Sequence, residues 1–114
     1  MEKLLNFFKI LSDETRFRII MLLYNRECCV CEMAEILKIS QPNVSRNLSK
    51  LKDLEIVRGQ RQGQLVFYYL NKKDDLVENI IEDIHKEVKE NPIILQDLRE
   101  LRRREDEGTM CVRE

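Results

Sequence analysis

The stretch from Val30 to Leu54 constrains the fold more than any other part of this chain. Val30, Met33, Ala34 and Leu37 fall on one side of a short helix. About four residues later Ser40 offers a strong N-cap, and Pro42 stands in the first turn, where a missing N–H costs nothing. Val44, Leu48 and Leu51 then recur at i, i+4 and i+7, so a second, longer helix buries that side and ends near Leu54. A short helix joined tightly to a longer one is the helix-turn-helix plan.

The flanks extend the pattern. Leu4, Phe8 and Leu11, with Leu5 alongside, form a helical stripe near the start. Ser12-Asp13 opens a next helix running to about Tyr24, with Phe17, Ile20 and Leu23 on one face. After Leu54 the composition changes. Ile56-Val57 and Leu65 to Leu70 are rich in β-branched and aromatic residues, and Gly59 and Gly63 punctuate the polar stretch between them. This predicts a β-hairpin whose tip carries Arg58, Gln60, Arg61, Gln62 and Gln64. Asp74-Asp75 opens a long helix with Leu76, Ile80, Ile84 and Val88 at strict i+4 spacing; Pro92 ends or kinks it, and a further helical piece runs from Ile93 to about Arg104. The expected fold is mostly α with a β-hairpin wing, a winged helix-turn-helix. One domain is expected over residues 1–105, with 106–114 as a charged, frayed tail.

The formal net charge of −1 hides a division. Lys38 to Gly63 holds six Lys/Arg against two Asp/Glu, whereas Asp74 to Glu107 holds twelve Asp/Glu against six Lys/Arg. A nucleic-acid binder needs a basic face rather than a basic total. The second helix of the pair fits the major groove of duplex DNA. Asn43 and Arg46 can bond base edges; Ser40, Gln41, Ser45, Ser49 and Lys50 can reach phosphates or bases. At the wing, Arg61 and Gln62 can lie along the backbone or enter the minor groove. The longest apolar runs, Ile19 to Tyr24 and Leu65 to Leu70, are far short of the ~20 residues that cross a bilayer. The amphipathic start lacks a small-residue cleavage site, so no membrane partner and a cytoplasmic location are expected.

The segment Ser40-Gln41-Pro42-Asn43-Val44-Ser45-Arg46-Asn47-Leu48, followed by Leu51, resembles the recognition helix of the ArsR/SmtB family of bacterial metal-responsive repressors. Leu11 to Arg16 is similar to that family's entry into its second helix, and Arg61 to Leu70 to its wing. Asn47 departs from the pattern, which frequently has histidine there. The resemblance implies a homodimer that pairs its first and long C-terminal helices across a two-fold axis and reads a pseudo-palindromic operator. The regular stripe on the long helix suits such pairing.

Three of the four cysteines, Cys28, Cys29 and Cys31, stand within four residues; the fourth is Cys111. In a reducing compartment such a cluster binds metal or does redox chemistry more readily than it forms structural disulfides. Soft thiolates suit thiophilic ions. The resemblance extends here: Cys29-Val30-Cys31 is similar to the paired cysteines of the arsenic- and cadmium-sensing branch, and implies As(III) or Sb(III), held by three sulfurs, as the inducer. The family's next cysteine position is Ala34 here. Cys28 is therefore the preferred third ligand, and Cys111 a distant candidate that must fold back. On a helical wheel at about 100° per residue the three clustered sulfurs spread widely, so binding is expected to loosen the first turn. The helix start and Arg26 are expected to favour thiolates.

DNA binding itself requires no cofactor on this reading. The expected function is an operator-binding repressor released by arsenite or antimonite. The alternative is a thiol-redox or cadmium/lead-responsive repressor on the same fold. Cys28 and Cys31 form a C-x-x-C, but no βαβ pattern surrounds it as in a thioredoxin-like enzyme. The family's zinc site is half present as Asp83-Ile84-His85; Gln96 and Arg99 stand where its partners belong. An arsenic-handling enzyme would need an anion or cofactor cradle, which glycines at 59, 63 and 108 do not build.

Overall fold

A computed structural model describes residues 1–111. Six helices and one hairpin follow in order: α1 (Glu2–Leu11), α2 (Glu14–Asn25), α3 (Val30–Leu37), α4 (Gln41–Asp53), β1 (Val57–Gln62), β2 (Leu65–Leu70), α5 (Asp75–Val88) and α6 (Pro92–Glu107). This is the winged helix-turn-helix that the sequence predicts.

The helix starts follow capping chemistry. Asp13 accepts from the Arg16 N–H, Ser40 from Asn43, Asp74 from Leu76 and Val77, and Asn91 from Ile93 and Ile94. Pro42 and Pro92 sit in first turns, so Pro92 begins α6 and does not kink α5. The wing closes with a two-residue turn between Gln62 and Leu65. Gly63 has a φ of 64° and Gln64 keeps a negative one, the pattern of a type II′ hairpin turn.

α2 is the hub. Ile19, Ile20, Met21, Leu22 and Leu23 are all buried, and the helix touches all five other helices and β2. α3 and α4 pack on it with Met33, Ile36, Leu37, Val44, Leu48 and Leu51. This places the helix-turn-helix on a fixed base.

The apolar stripes on α1 and α5 are divided. Phe7 and Ile10 bury α1, while Leu5 and Phe8 of the predicted stripe remain 53% and 49% exposed. Likewise Val77 and Ile81 anchor α5; Ile80, Ile84 and Val88 are half-buried, and Leu76 is 55% exposed. Both helices carry more apolar circumference than one subunit covers. The residues from 106 onward, read from sequence as tail, include the last turn of α6. Gly108 caps it in the left-handed conformation, and Met110 is buried. Residues 112–114 of that tail lie outside the described residues.

Candidate functional site

The sequence places Cys29 at the N-cap of α3. Its backbone is extended, with φ −91° and ψ 167°, and Glu32 at the third helical position reaches back to accept the Cys29 N–H at 2.9 Å. The extended cap turns the Cys29 side chain toward Cys31, and their sulfurs lie 3.3 Å apart. The expected loosening of the first turn is therefore unnecessary. A helical wheel does not apply to Cys28, Cys29 and Cys31 together, because the helix begins at Val30.

The third sulfur comes from far away. After α6 the chain folds back onto α3, and the Cys111 Sγ stands 3.3 Å from the Cys29 Sγ. Glu32 builds this contact as well. It is buried, its Oε1 accepts from the Cys29 thiol at 3.1 Å, and its Oε2 accepts the Cys111 N–H at 2.7 Å. The sulfurs of Cys29, Cys31 and Cys111 all lie within 4.8 Å of one another. Three sulfurs bound to one ion at the zinc–thiolate length of ~2.3 Å stand about 3.4–3.8 Å apart. Two of the three sulfur pairs already stand near that spacing, at 3.3 Å, so the triad needs only a small adjustment to close on an ion.

Cys28 is not in the triad. Its side chain is fully buried and its Sγ faces the Arg26 carbonyl at 3.5 Å. Its backbone pairs with β2: Cys28 N–H donates to the Tyr68 carbonyl at 3.1 Å, and Tyr68 N–H to the Cys28 carbonyl at 2.8 Å. The preferred third thiol of the sequence reading is thus a core residue and a ladder partner of the wing. Its signal was ambiguous because a buried cysteine behaves as a small hydrophobe.

Cys28, Cys29 and Cys111 are not poised as thiolates. Burial pushes Cys28 up to about 12, with Glu32 adding to the effect and Arg26 opposing it. Burial and then hydrogen bonds to Glu32, Cys111 and Cys31 hold Cys29 far above the ordinary thiol range, and burial raises Cys111. The expected help from Arg26 is outweighed at Cys28 by burial and then by Glu32; its guanidinium also pairs with Glu105 at 3.3 Å.

Two polar contacts that the sequence reading missed hold α6 in place. Arg18 of α2 makes a two-pronged pair with buried Asp97, at 2.9 and 2.7 Å, and also donates to the Leu37 carbonyl at 3.0 Å. Arg104 meets Glu35 of α3 at 2.6 Å. The partners of each pair are distant in sequence, so no local sequence signal flags them. The half zinc site is otherwise engaged: the His85 Nε2 lies 3.1 Å from the Asn25 amide, and its ring packs on Tyr24.

The predicted nucleic-acid residues share α4 and the wing. Gln41, Ser45, Arg46, Ser49 and Lys50 are exposed, and Ser40 accepts the Asn43 N–H at 3.2 Å as the cap. Arg61 is exposed on β1 opposite Val66, with half-buried Gln62 beside the turn. Among the described residues, none of Arg46, Lys50 and Arg61 is consumed in an ion pair. Asn47, where the resemblance frequently has histidine, is buried rather than displayed.

Residues 13–58 match the model of the bacterial regulatory protein, arsR family. The chain is 36% identical over 81 residues to an arsenical resistance operon repressor of Staphylococcus aureus, covering 69% of this chain and 78% of that one. It is 43% identical over 65 residues to the cadmium resistance transcriptional regulatory protein CadC of Listeria innocua, covering 56% and 55%. The matched part spans about half the length of that regulator and of similar curated relatives. Among solved structures, reduced HlyU from Vibrio cholerae is 29% identical with a TM-score of 0.68, covering 75% of this chain and 87% of that one. No helix among the described residues is long and apolar enough to cross a membrane. With the helix-turn-helix, the wing and the thiol-bearing α3 all in place, the chain belongs to the ArsR family of bacterial regulatory proteins, transcription regulators and not enzymes.

Proposed function

We propose that this protein is a homodimeric repressor that holds operator DNA with α4 and the wing and releases it when arsenite or antimonite is captured by Cys29, Cys31 and Cys111. The observation that carries the reading is the convergence of three sulfurs at the start of α3, the helix that packs directly on α4. Three thiols within reach of one another suit a three-coordinate pyramidal ion. Each As–OH is exchanged for As–S, and each thiol proton leaves in a water molecule. Cys29 and Cys111, whose pKa values burial raises, bring such protons with them. The relatives named for arsenical and for cadmium resistance both support a thiophilic ion. The uncovered apolar strips of α1 and α5 support the dimer, since a second copy would bury them.

Capture has two routes into the DNA-binding face. One is α3 itself. The other is the Cys28 ladder, which ties the residue before the triad to β2 of the wing. Couplings of this kind are typically ~1–3 kcal/mol, or ~5–150-fold in affinity.

Gel shifts test the reading. Arsenite should displace the wild-type protein from its operator and leave the Cys29→Ser, Cys31→Ser double variant bound. Release of the double variant at the same concentration would place the sensor elsewhere. Arg46→Ala should weaken operator binding by at least ~tenfold, and wild-type affinity should fall steeply between low and physiological salt. A salt-independent affinity would remove the DNA reading.

A second reading has its own observation. Cys29 and Cys111 stand close enough for a disulfide after small rotations. Peroxide would take two electrons from the pair, the S–S bond would form, and the two thiol protons would leave with the reduced oxygen as water. Intact mass after mild peroxide would fall by two hydrogens. An unchanged mass excludes this route.

A further inference from the structure

Within α4, Asn43 and Asn47 form a pair whose orientation is set by chemistry. The Asn47 Nδ2 lies 2.9 Å from the Asn43 backbone carbonyl and 2.8 Å from the Asn43 Oδ1. A carbonyl oxygen can only accept, so the amide group that Asn47 turns toward it must be its nitrogen. That nitrogen has two hydrogens, and the second points at the Asn43 side chain. Asn43 must therefore turn its oxygen inward, and its own NH2 group faces away from Asn47. The reverse orientation would set NH2 against NH2. Asn47 is only 8% exposed, so water could not easily replace the lost partner.

We infer that Asn47 is a positioning residue that fixes Asn43 as a hydrogen-bond donor, so that α4 reads a keto-bearing base, guanine first, at the operator position Asn43 meets. The inference rests on the proposed entry of α4 into the major groove. Asparagine usually pairs with adenine by accepting from N6 and donating to N7, which needs both ends of the amide. Here the oxygen is turned toward Asn47 on the buried side of α4, so it does not reach out to an adenine N6. Two N–H groups remain for the groove. Guanine offers them O6 and N7 side by side, thymine offers O4, and cytosine presents a competing donor. Asn47 lies on the buried side with Val44, Leu48 and Leu51, so it acts through Asn43 and does not touch DNA.

Selection from a randomised duplex library tests this. The position served by Asn43 is the one whose preference disappears in Asn43→Ala. At that position the wild type should favour guanine over adenine by at least ~tenfold, and 7-deazaguanine should weaken binding several-fold. Asn47→Leu keeps an apolar fit but frees the Asn43 amide to rotate. Adenine should then rise to within about threefold of guanine, with other positions unchanged. Asn47→Ala provides the same test should leucine pack badly, and the wild-type preference needs no variant at all. Adenine preferred by the wild type, no position answering to Asn43→Ala, or an unchanged preference in folded Asn47 variants would overturn the inference alone. Failure of the wild type to bind any duplex at low salt would overturn the DNA reading and this inference together.

Discussion

Cys111→Ser is expected to weaken arsenite capture by about two orders of magnitude while leaving operator affinity of the ion-free protein within twofold. Thiolate sites hold zinc with ~10–16 kcal/mol over four ligands, so one ligand is worth about 3 kcal/mol. Cys111 supplies one of three sulfurs and follows α6, remote from the α4 surface. Cys28→Ser should behave oppositely. Its sulfur faces a backbone carbonyl, and ion affinity should stay within about threefold. Titrating each variant with arsenite and following the ultraviolet absorbance of the sulfur–arsenic bonds would rank them. A larger loss from Cys28→Ser than from Cys111→Ser would return the third ligand to the core cysteine.

Asp97→Ala should lower the unfolding free energy by about 3–5 kcal/mol, the usual cost of leaving one charge of a buried pair without its partner. Asp97 has only 5% of its side chain exposed, and Arg18, at 19%, would keep a single backbone acceptor at Leu37. Urea unfolding measures the change. A loss under ~1 kcal/mol would mean that water already compensates the guanidinium. The variant should also lose ion affinity beyond its loss of stability, because α6 delivers Cys111 to the triad.

Much of this was legible in the sequence because the signals are local. Ser40 and Pro42 mark the start of α4 regardless of what packs on it, and Gly63 marks the wing turn in the same way. The Cys29 and Cys31 pair is equally local. What the sequence ranked too low or did not show is non-local, although Cys111 already stood as a distant candidate ligand. Nothing near Cys111 announces that it returns to α3, and nothing near Asp97 announces Arg18. The apolar spacing on α1 was legible but its direction was not. Phe7 and Ile10 compete with Leu4, Phe8 and Leu11 for the core, and only the packed neighbours decide between them. The protonation of the thiols also depends on burial, which a single lysine or arginine nearby in sequence does not predict.

Cys29 and Cys111 lie 82 residues apart along the chain. An ion joining them would close most of the protein into a ring, and ring closure of that size restricts an unfolded chain by roughly 4–5 kcal/mol in the chain-entropy picture. The ligand would then act as a removable staple as well as a signal. The loaded form should melt higher, resist proteases at α6 and exchange its α6 amides more slowly, so that the lifetime of the regulator in the cell would itself report the ion.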